Sequence, residues 1–245
     1  MQDFFTKHGF KMGRDEFFAL LREHQLLIRR RKSKKPKTTF SSHWFKKYPN
    51  LIVDLVIDRP NQVWVSDITY ILVGAGFGYL FLLTDAYSRK IIGYAIETSL
   101  AAEGALKALK MALYQKPASA QAIHHSDRGI QYCCWDYIHQ LTGSAIGISM
   151  TQNSDPRENA IAERVNGILK QELLEKSYAS IEEAQSHLPK VISIYNVERP
   201  HSSLDFLTPS VAHTQEGAIK RRWKAYPYKS TKPDKVQNDA TVPVA

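Results

Sequence analysis

The spacing of apolar residues changes several times along the chain and predicts an alternation of helices and strands. Residues 13–27 carry apolar side chains at helical spacing, which predicts a short amphipathic helix. Three runs rich in β-branched and aromatic residues follow and predict a meander of strands at 63–70, 79–84 and 90–96. The glycine-rich residues 74–78 lead into an apolar strand-like run, so they predict a hairpin instead of a dinucleotide-binding loop.

Short strands alternate with longer helical segments after this meander. The predicted elements are helices at 99–113 and 131–139, strands at 122–125 and 145–150, and two long helices near 156–175 and 180–195. Three strands followed by helix, strand, helix, strand and helices are typical of a mixed sheet with helices on its faces. The expected fold class is α/β: a mixed five-stranded sheet flanked by helices, with a small, helical, basic N-terminal region.

Charge and composition narrow the class of partner. The 245 residues carry a formal net charge of +9 with a pI of about 9.4, which favours an anionic partner such as nucleic acid. Seven of the nine residues at 29–37 are cationic, which fits a solvated linker, a flexible contact to DNA phosphates, or both. Adjacent Cys133 and Cys134 provide no disulfide framework. Without an apolar run of bilayer-spanning length or a secretion signal, we expect a cytoplasmic protein with no membrane contact.

These changes in composition divide the chain into three predicted regions. Residues 1–58 form a helical and basic DNA-binding region with its linker. Residues 59–213 form the folded core together with its C-terminal helices. Residues 214–245 are basic, polar and interrupted by proline, which is typical of a flexible tail.

Three acidic residues stand out, although each has an ordinary explanation when taken alone. Asp67 lies inside a predicted strand, where aspartate is depleted unless it is paired, at an edge, or functional. Asp127 follows a strand and also fits a turn that Gly129 completes. Glu163 lies on a predicted helix in a polar stripe that also contains Asn159, Asn166 and Lys170, and such a stripe is normally a solvated face.

Taken together, the three carboxylates predict a metal site. Carboxylates that lie close together repel one another unless a cation neutralises them, and oxygen ligands select Mg²⁺ or Mn²⁺. Two such ions about 3.5–4 Å apart stabilise the attacking and leaving oxygens of a phosphoryl displacement. We therefore predict Asp67, Asp127 and Glu163 as catalytic metal ligands. The candidate DNA contacts are Lys170, Asn166, Asn159, Arg164, Arg29, Arg30, Arg31 and Lys32.

Spacing and local motifs resemble those of a known family. Thirty-five residues separate Asp127 from Glu163, and Lys170 follows Glu163 by seven, as in the D,D(35)E signature of retroviral-type integrases and insertion-sequence transposases. Further similar segments are WVSDITY at 64–70, DAYSR at 85–89, HSDRGIQY at 125–132, ENAIAE at 158–163 and YNVERPH at 195–201. From about residue 13 to 213 the chain resembles the OrfB-type transposases of insertion-sequence family three.

The resemblance implies a ribonuclease H-like integrase catalytic core at residues 59–213. It also implies divalent metal bound by Asp67, Asp127 and Glu163, DNA cleavage at transposon ends, and transfer of the 3′-hydroxyl into target DNA. The implied partners are DNA, an OrfA-type protein or fusion, and further copies of the chain on DNA, at the nucleoid. Departures from the family pattern are Glu158, where aspartate is common, and Arg164, where serine is common. Arg164 fits either a DNA contact or a solvent-facing position.

Competing interpretations stay open at this point. Asp85 lies at a turn, where structural pairing is favoured over metal binding, and His124 and His125 fit packing or hydrogen bonding better than a metal cluster. At the level of function, the alternatives to a transposase are a metal-dependent nuclease of the same fold and an inactive DNA-binding relic. An RNA-directed enzyme of that fold has no support beyond the charge.

Overall fold

A computed structural model describes residue 9 and residues 12–27, 43–152 and 156–220, without the side chains of residues 156 and 157. Within these ranges the strands are β1 (Val63–Val73), β2 (Gly76–Asp85), β3 (Ile91–Glu97), β4 (Ile123–Ser126) and β5 (Gly147–Met150). The helices are α1 (Arg14–Glu23), α2 (Ala102–Gln115), α3 (Ile130–Cys133), α4 (Trp135–Gly143), α5 (Ala160–Ile168), α6 (Ile181–Ser193) and α7 (Pro209–Ala212). Short 3-10 turns cover Pro156–Asn159 and Ser202–Leu204, and π-helical turns cover Leu169–Leu173 and Ile194–Glu198.

The five strands form one mixed sheet in the order β3-β2-β1-β4-β5. β1 pairs with β2 and β2 pairs with β3 in antiparallel fashion, which confirms the predicted meander. Gly74 has a φ of 54° in the β1–β2 turn, a conformation that glycine adopts without strain. β4 then pairs in parallel with β1, and β5 with β4. The predicted mixed five-stranded α/β fold is therefore confirmed.

Alternation along β1 directs successive side chains to two different helical layers. Trp64 and Ile68 join a core cluster with Leu109 of α2 and Tyr137 of α4. Ile71, on the other face, belongs to a cluster built with α5 and α6. Because strand residues two apart share a face, Asp67 lies on the side of β1 that faces α5. The sheet therefore presents this carboxylate to the helix that carries Glu163.

Two predicted helices differ in the structure. The helix expected at 131–139 is divided at Cys134, whose extended ψ of 156° ends α3 and begins α4. The helix expected at 156–175 begins as a 3-10 turn, becomes α-helical at Ala160, and ends as the π-helical turn Leu169–Leu173. Strand β5 starts at Gly147, not at residue 145, because Ala145 has a φ of 53° and belongs to a turn.

The start of α6 agrees with its sequence signature. Glu183 N donates to Ser180 Oγ at 3.2 Å, and the Glu183 carboxylate accepts from Ala179 N at 2.6 Å. These two bonds satisfy backbone donors at the helix terminus, as expected for a serine followed three residues later by glutamate.

Most of the predictions about the chain ends concern residues outside the described ranges. The N-terminal helix predicted at 13–27 is present as Arg14–Glu23. The basic run at 29–37, with Arg29, Arg30, Arg31 and Lys32, lies outside the described residues, as does the chain beyond residue 220. The division into 1–58, 59–213 and 214–245 stays a prediction. In the described ranges, no helix has the length and apolar character needed to cross a membrane.

Candidate active site

Asp67 occupies the middle of β1 and accepts two hydrogen bonds through its carboxylate. Oδ1 accepts from the backbone N–H of Ile68 at 2.9 Å, and Oδ2 accepts from Asn166 Nδ2 at 2.7 Å. The second bond spans β1 and α5. Strand and helix therefore hold this carboxylate from two sides.

Asp127 reaches the same region because β4 runs parallel to β1. In that pairing Val65 lies opposite His125, so the end of β4 lies close to Asp67. Asp127 Oδ1 accepts a hydrogen bond from Gly129 N at 3.0 Å. The turn that sequence reasoning proposed for Asp127 and Gly129 is therefore present, and it orients a carboxylate that also has a place at the site.

Glu163 lies on the exposed side of α5, one turn before Asn166. Electrostatics link it with the two aspartates. Burial and the neighbouring Asp127 raise the pKa of Asp67 from 3.8 to about 7, while Glu163 adds to the rise and the bonds from Ile68 and Asn166 oppose it. The three carboxylates therefore share one electrostatic environment, in which the charged form of Asp67 is costly without a cation.

The oxygen atoms of the candidate site are of the kind that bind a hydrated divalent ion, although their side chains are not arranged as a complete set of metal ligands. Within the ranges described, no group of three or more His, Cys, Asp or Glu side chains is arranged to hold a metal ion. The site does contain carboxylate oxygens, which Mg²⁺ and Mn²⁺ prefer. The amide oxygens of Asn159 and Asn166 are also buried without a hydrogen-bond partner among the described residues. Such oxygens suit an ion that keeps several waters.

Asn159 and Asn166 tie α5 and its preceding turn to β1. Asn159 Nδ2 donates to the carbonyl oxygen of Ser66 at 3.0 Å, and Asn166 Nδ2 donates to Asp67. Their exposed fractions are only 7% and 6%, which leaves little surface for a DNA phosphate. The polar stripe is thus only partly solvated, since Glu163 is exposed while the two asparagines are buried. Their burial favours positioning of Asp67 over the predicted DNA contact, which stays untested.

Arg164 and Lys170 are two further predicted DNA contacts, and they lie on α5 and on the π-helical turn that follows it. Lys170 Nζ is 3.3 Å from Thr69 Oγ1 and 3.8 Å from the centroid of the Tyr70 ring, so its ammonium group sits beside β1. Arg164 is exposed. Burial, followed by the charges of Arg199, Arg89 and Arg164, lowers the pKa of His201 to about 3. Neither arrangement tests the predicted DNA contacts.

The sequence did not indicate a buried hydrogen-bonded group that includes Ser66, the residue before Asp67. Ser66 Oγ lies 2.5 Å and Tyr137 Oη 2.9 Å from Nε2 of His124. Burial, followed by the nearby His125, lowers the pKa of His124 to about 3, so this ring is neutral. No local pattern signals the group, because Ser66 and His124 are 58 residues apart.

His125 and Asp85 have structural roles, as expected. His125 Nδ1 lies 2.8 Å from Ser149 Oγ, and its Nε2 lies 3.1 Å from the carbonyl oxygen of Glu158, which joins β5 to the turn before α5. Asp85 is fully buried and accepts 2.7 Å bonds from Asn61 N and from Ser88 N and Oγ. Backbone and hydroxyl donors therefore satisfy Asp85.

The two cysteines carry free thiols. Cys133 is buried and lies 3.7 Å from the sulfur of Met150. Burial, followed by Asp127, raises the pKa of its thiol to about 11. The protonated form therefore prevails at neutral pH.

Solved structures share this fold. A chain of the simian T-cell lymphotropic virus intasome, solved with the PP2A regulatory subunit B56 gamma, aligns with a TM-score of 0.55 at 18% identity, covering 77% of this chain and 66% of that one. The HTLV-2 integrase catalytic core domain in complex with magnesium aligns with a TM-score of 0.50 at 17% identity, covering 63% and 97%. The sheet with its flanking helices is thus ribonuclease H-like.

Sequence comparisons identify relatives at higher identity. Residues 57–156 and 144–209 match two families that are both described as Integrase core domain. An insertion element IS600 protein of 31 kDa from Shigella sonnei is 37% identical over 213 residues, covering 86% of this chain and 78% of the relative.

Two transposases align over a smaller share of their length. The putative transposase of IS986/IS6110 from Mycobacterium tuberculosis is 33% identical over 57% of this chain, and the match spans 53% of the relative. Transposase InsF of IS3A from Escherichia coli is 33% identical over 70% of this chain and spans 60% of the relative. The chain thus belongs to the DNA transposases of insertion-sequence family three, which contain an integrase core domain.

Proposed function

We propose that this chain cleaves DNA at the ends of an insertion sequence and joins the freed 3′-hydroxyl to target DNA. In this proposal Asp67, Asp127 and Glu163 hold Mg²⁺ or Mn²⁺. The observation that carries the proposal is electrostatic: burial, and after it the charges of Asp127 at the end of β4 and of Glu163 on α5, raise the pKa of Asp67 on β1. The magnesium in the solved HTLV-2 core domain supports the choice of ion by analogy of fold.

The side chains of this protein position the Asp67 carboxylate and place a positive charge beside the strand that carries it. Bound divalent ions would supply activation of the attacking oxygen and neutralisation of charge at phosphorus. Asn166 holds Oδ2 of Asp67, and Asn159 holds the carbonyl group just before that residue. Lys170 provides an ammonium group beside β1, where it can pair with a backbone phosphate of DNA.

Each of the two reactions exchanges one phosphodiester bond. In cleavage, an oxygen of water bonds to phosphorus as the bond to the 3′-oxygen of the element breaks, and that oxygen leaves as a hydroxyl. In joining, this 3′-oxygen bonds to a target phosphorus while the bond to the target's own 3′-oxygen breaks. The same carboxylates serve both steps, because each is an in-line displacement at phosphorus.

The experiment is a cleavage and strand-transfer assay on labelled DNA ends with Mg²⁺ or Mn²⁺. Wild type is compared with Glu163→Gln, which removes a charge with little change in size, and with Glu172→Gln as a matched acid that pairs with Arg199. We expect joined product from wild type and Glu172→Gln and at least a 100-fold loss in Glu163→Gln. Circular dichroism establishes that all three proteins are folded.

The outcomes separate the alternatives. Cutting without joining would support a metal-dependent nuclease of this fold. DNA binding without cutting in any protein, even after an OrfA-type protein is added, would support an inactive relic. Equal activity of wild type and Glu163→Gln would overturn the assignment of the carboxylates.

Organisation and partners belong to the same proposal. We propose the division into a DNA-binding region at 1–58, a catalytic core at 59–213 and a tail at 214–245. The working form is an oligomer on DNA at the nucleoid, in the cytoplasm, with an OrfA-type partner or fusion. Arg29, Arg30, Arg31, Lys32 and Arg164 are proposed to contact DNA phosphates, as expected from the net charge of +9.

A further inference from the structure

An exposed tryptophan lies in a segment that contacts the residue after Asp127 and that the proposed chemistry does not use. This aromatic–lysine segment comprises residues 43–48, with the sequence HWFKKY. Trp44 is 82% exposed, and its ring stacks on Phe45 with centroids 4.3 Å apart and planes inclined by 27°. One face of the indole is therefore supported by protein while most of its surface meets solvent.

The core of the domain anchors the residues on both sides of Trp44. His43 Nε2 lies 2.9 Å from the carbonyl oxygen of Arg128, the residue directly after Asp127. Phe45 and Tyr48 pack against the core cluster that contains Cys133 and Met150. The carbonyl oxygen of Pro49 then accepts from Met150 N at 3.3 Å. The backbone at Trp44 is therefore held near the end of β4, where Asp127 follows the strand.

Two lysines follow Trp44 closely in the sequence. Lys46 and Lys47 are both exposed, and Lys46 Nζ lies 5.0 Å from the centroid of the Tyr48 ring. Lys47 and Asp127 both influence the pKa of the Cys133 thiol, in opposite directions, so the lysine and the carboxylate act on the same neighbourhood. An aromatic face flanked by lysines is the combination with which proteins bind unpaired nucleotides.

We propose that Trp44 stacks on an unpaired base of the DNA while Lys46 and Lys47 neutralise the adjoining phosphates. This inference rests on the proposed function, since it concerns the DNA that the carboxylates act on. Stacking on the indole would hold a single-stranded nucleotide next to Asp127 and so determine where the strand enters the site. Because every base has a π face, the interaction is tolerant of sequence. The lysines favour nucleic acid over a protein partner as the occupant.

The test measures binding by the full chain in EDTA, so that no cleavage occurs. The probes are a fluorescent blunt duplex and the same duplex with a five-nucleotide single-stranded extension that contains 2-aminopurine. Trp44→Ala should weaken binding of the extended duplex by roughly 5- to 100-fold and reduce quenching of the 2-aminopurine. Affinity for the blunt duplex should change less than about twofold, since stacking requires an unpaired base.

Two further variants make the result specific. Trp44→Phe keeps a π face and should restore most of the affinity for the extended duplex. Tyr114→Ala removes another exposed aromatic, 93% exposed near the C-terminal end of α2, and should change neither affinity. A Trp44→Ala variant that binds both probes like wild type, or weakens both equally, would overturn the proposal. An altered molecular mass in sedimentation with unchanged DNA binding would assign the indole to a contact between copies instead.

The binding assay separates this proposal from the catalytic one. Glu163→Gln in EDTA should bind the extended duplex at least as tightly as wild type, whatever its activity with metal, because the substitution removes a negative charge from the site that faces DNA phosphates. If Glu163→Gln remains active, the carboxylate assignment fails and the stacking result stands. If Trp44→Ala binds normally, the stacking proposal fails and the carboxylate assignment stands.

Discussion

Asn166 Nδ2 donates a 2.7 Å hydrogen bond to Oδ2 of Asp67 across the interface between α5 and β1. Asn166 lies three positions after Glu163 on the same helix, so one element carries a carboxylate and also holds a second carboxylate in place. The bond stabilises the charged form of Asp67 and opposes the rise in its pKa. The geometry of the proposed metal site therefore depends on the packing of α5 against the sheet.

Replacing Asn166 with alanine should lower metal affinity and activity together. The carboxylate of Asp67 loses its side-chain donor, and loss of such outer partners typically costs 10- to 100-fold. Gly167→Ala is the matched control, because an added Cβ at Gly167 meets nothing within 4 Å. A magnesium titration of strand-transfer activity gives both values. Normal metal dependence in Asn166→Ala would show that this bond is only structural.

The raised pKa of Asp67 predicts a dependence of stability on pH in metal-free buffer. With a pKa of about 7 in the folded state and 3.8 ordinarily, folded Asp67 retains a proton that the unfolded chain releases between these values. The contribution of protonated Asp67 to the free energy of unfolding is thus complete below pH 3.8 and is lost as the pH rises through about 7. Thermal unfolding in EDTA should show Asp67→Asn more stable than wild type at pH 8 and nearly equal to it at pH 4.

Magnesium should reverse this loss. A bound cation favours the ionised carboxylate, so Mg²⁺ should raise the Tm of wild type more at pH 8 than at pH 5. Asp67→Asn should lose most of this response. A response to Mg²⁺ that is the same at both pH values would contradict a role for Asp67 as a ligand.

The strands were predictable because their signals are local. The β1–β2 hairpin combines apolar alternation with Gly74, and both are visible within a few residues. The position of Asp67 inside a strand was also visible, since aspartate is rare there. The first residues of α5 and β5 were predicted less accurately, because a 3-10 turn and the positive φ of Ala145 have only weak local signals in the sequence.

The partners of the site residues were not predictable from the sequence. Asn166 and Asp67 are 99 residues apart, and Asn159 and Ser66 are 93 apart, so only the folded pairing of strand with helix joins them. From sequence, a polar stripe on a helix indicates solvent. Burial of the two asparagines depends on the depth at which α5 packs against β1, which periodicity does not encode.

His124 should make the fold sensitive to acid. Burial lowers its pKa to about 3, so the unfolded chain binds a proton between about pH 6.5 and 3 that the folded protein does not. Stability from this group is present above pH 6.5 and is lost as the pH falls, at about 1.4 kcal/mol per pH unit. Urea unfolding at pH 7 and pH 5 should show a smaller difference in His124→Asn than in wild type. His139→Asn, at an exposed position on α4, should keep the wild-type difference.

Lys170 should contribute one contact to a DNA phosphate, as proposed above. Its Nζ lies at Thr69 and over Tyr70, close to the strand that carries Asp67. Lys170→Ala should weaken DNA binding and reduce the slope of log K against log salt by about 0.9, the value for one phosphate. Lys110→Ala, at an exposed position on α2, should leave the slope unchanged. An unchanged slope in Lys170→Ala would remove this lysine from the DNA interface.

Gly93 on β3 allows α2 to approach the sheet closely. A Cβ at Gly93 would lie 2.1 Å from the carbonyl oxygen of Ala108 and 2.9 Å from its carbonyl carbon, so the helix backbone would have to move. Gly93→Ala should therefore destabilise the protein by about 1–3 kcal/mol or more, the usual cost of overpacking. At Gly143, at the end of α4, an added Cβ meets nothing within 4 Å. Gly143→Ala should be neutral or raise stability by up to about 1 kcal/mol, because it restricts the unfolded chain. Equal free energies of unfolding for the two variants would mean that α2 does not need close contact with β3.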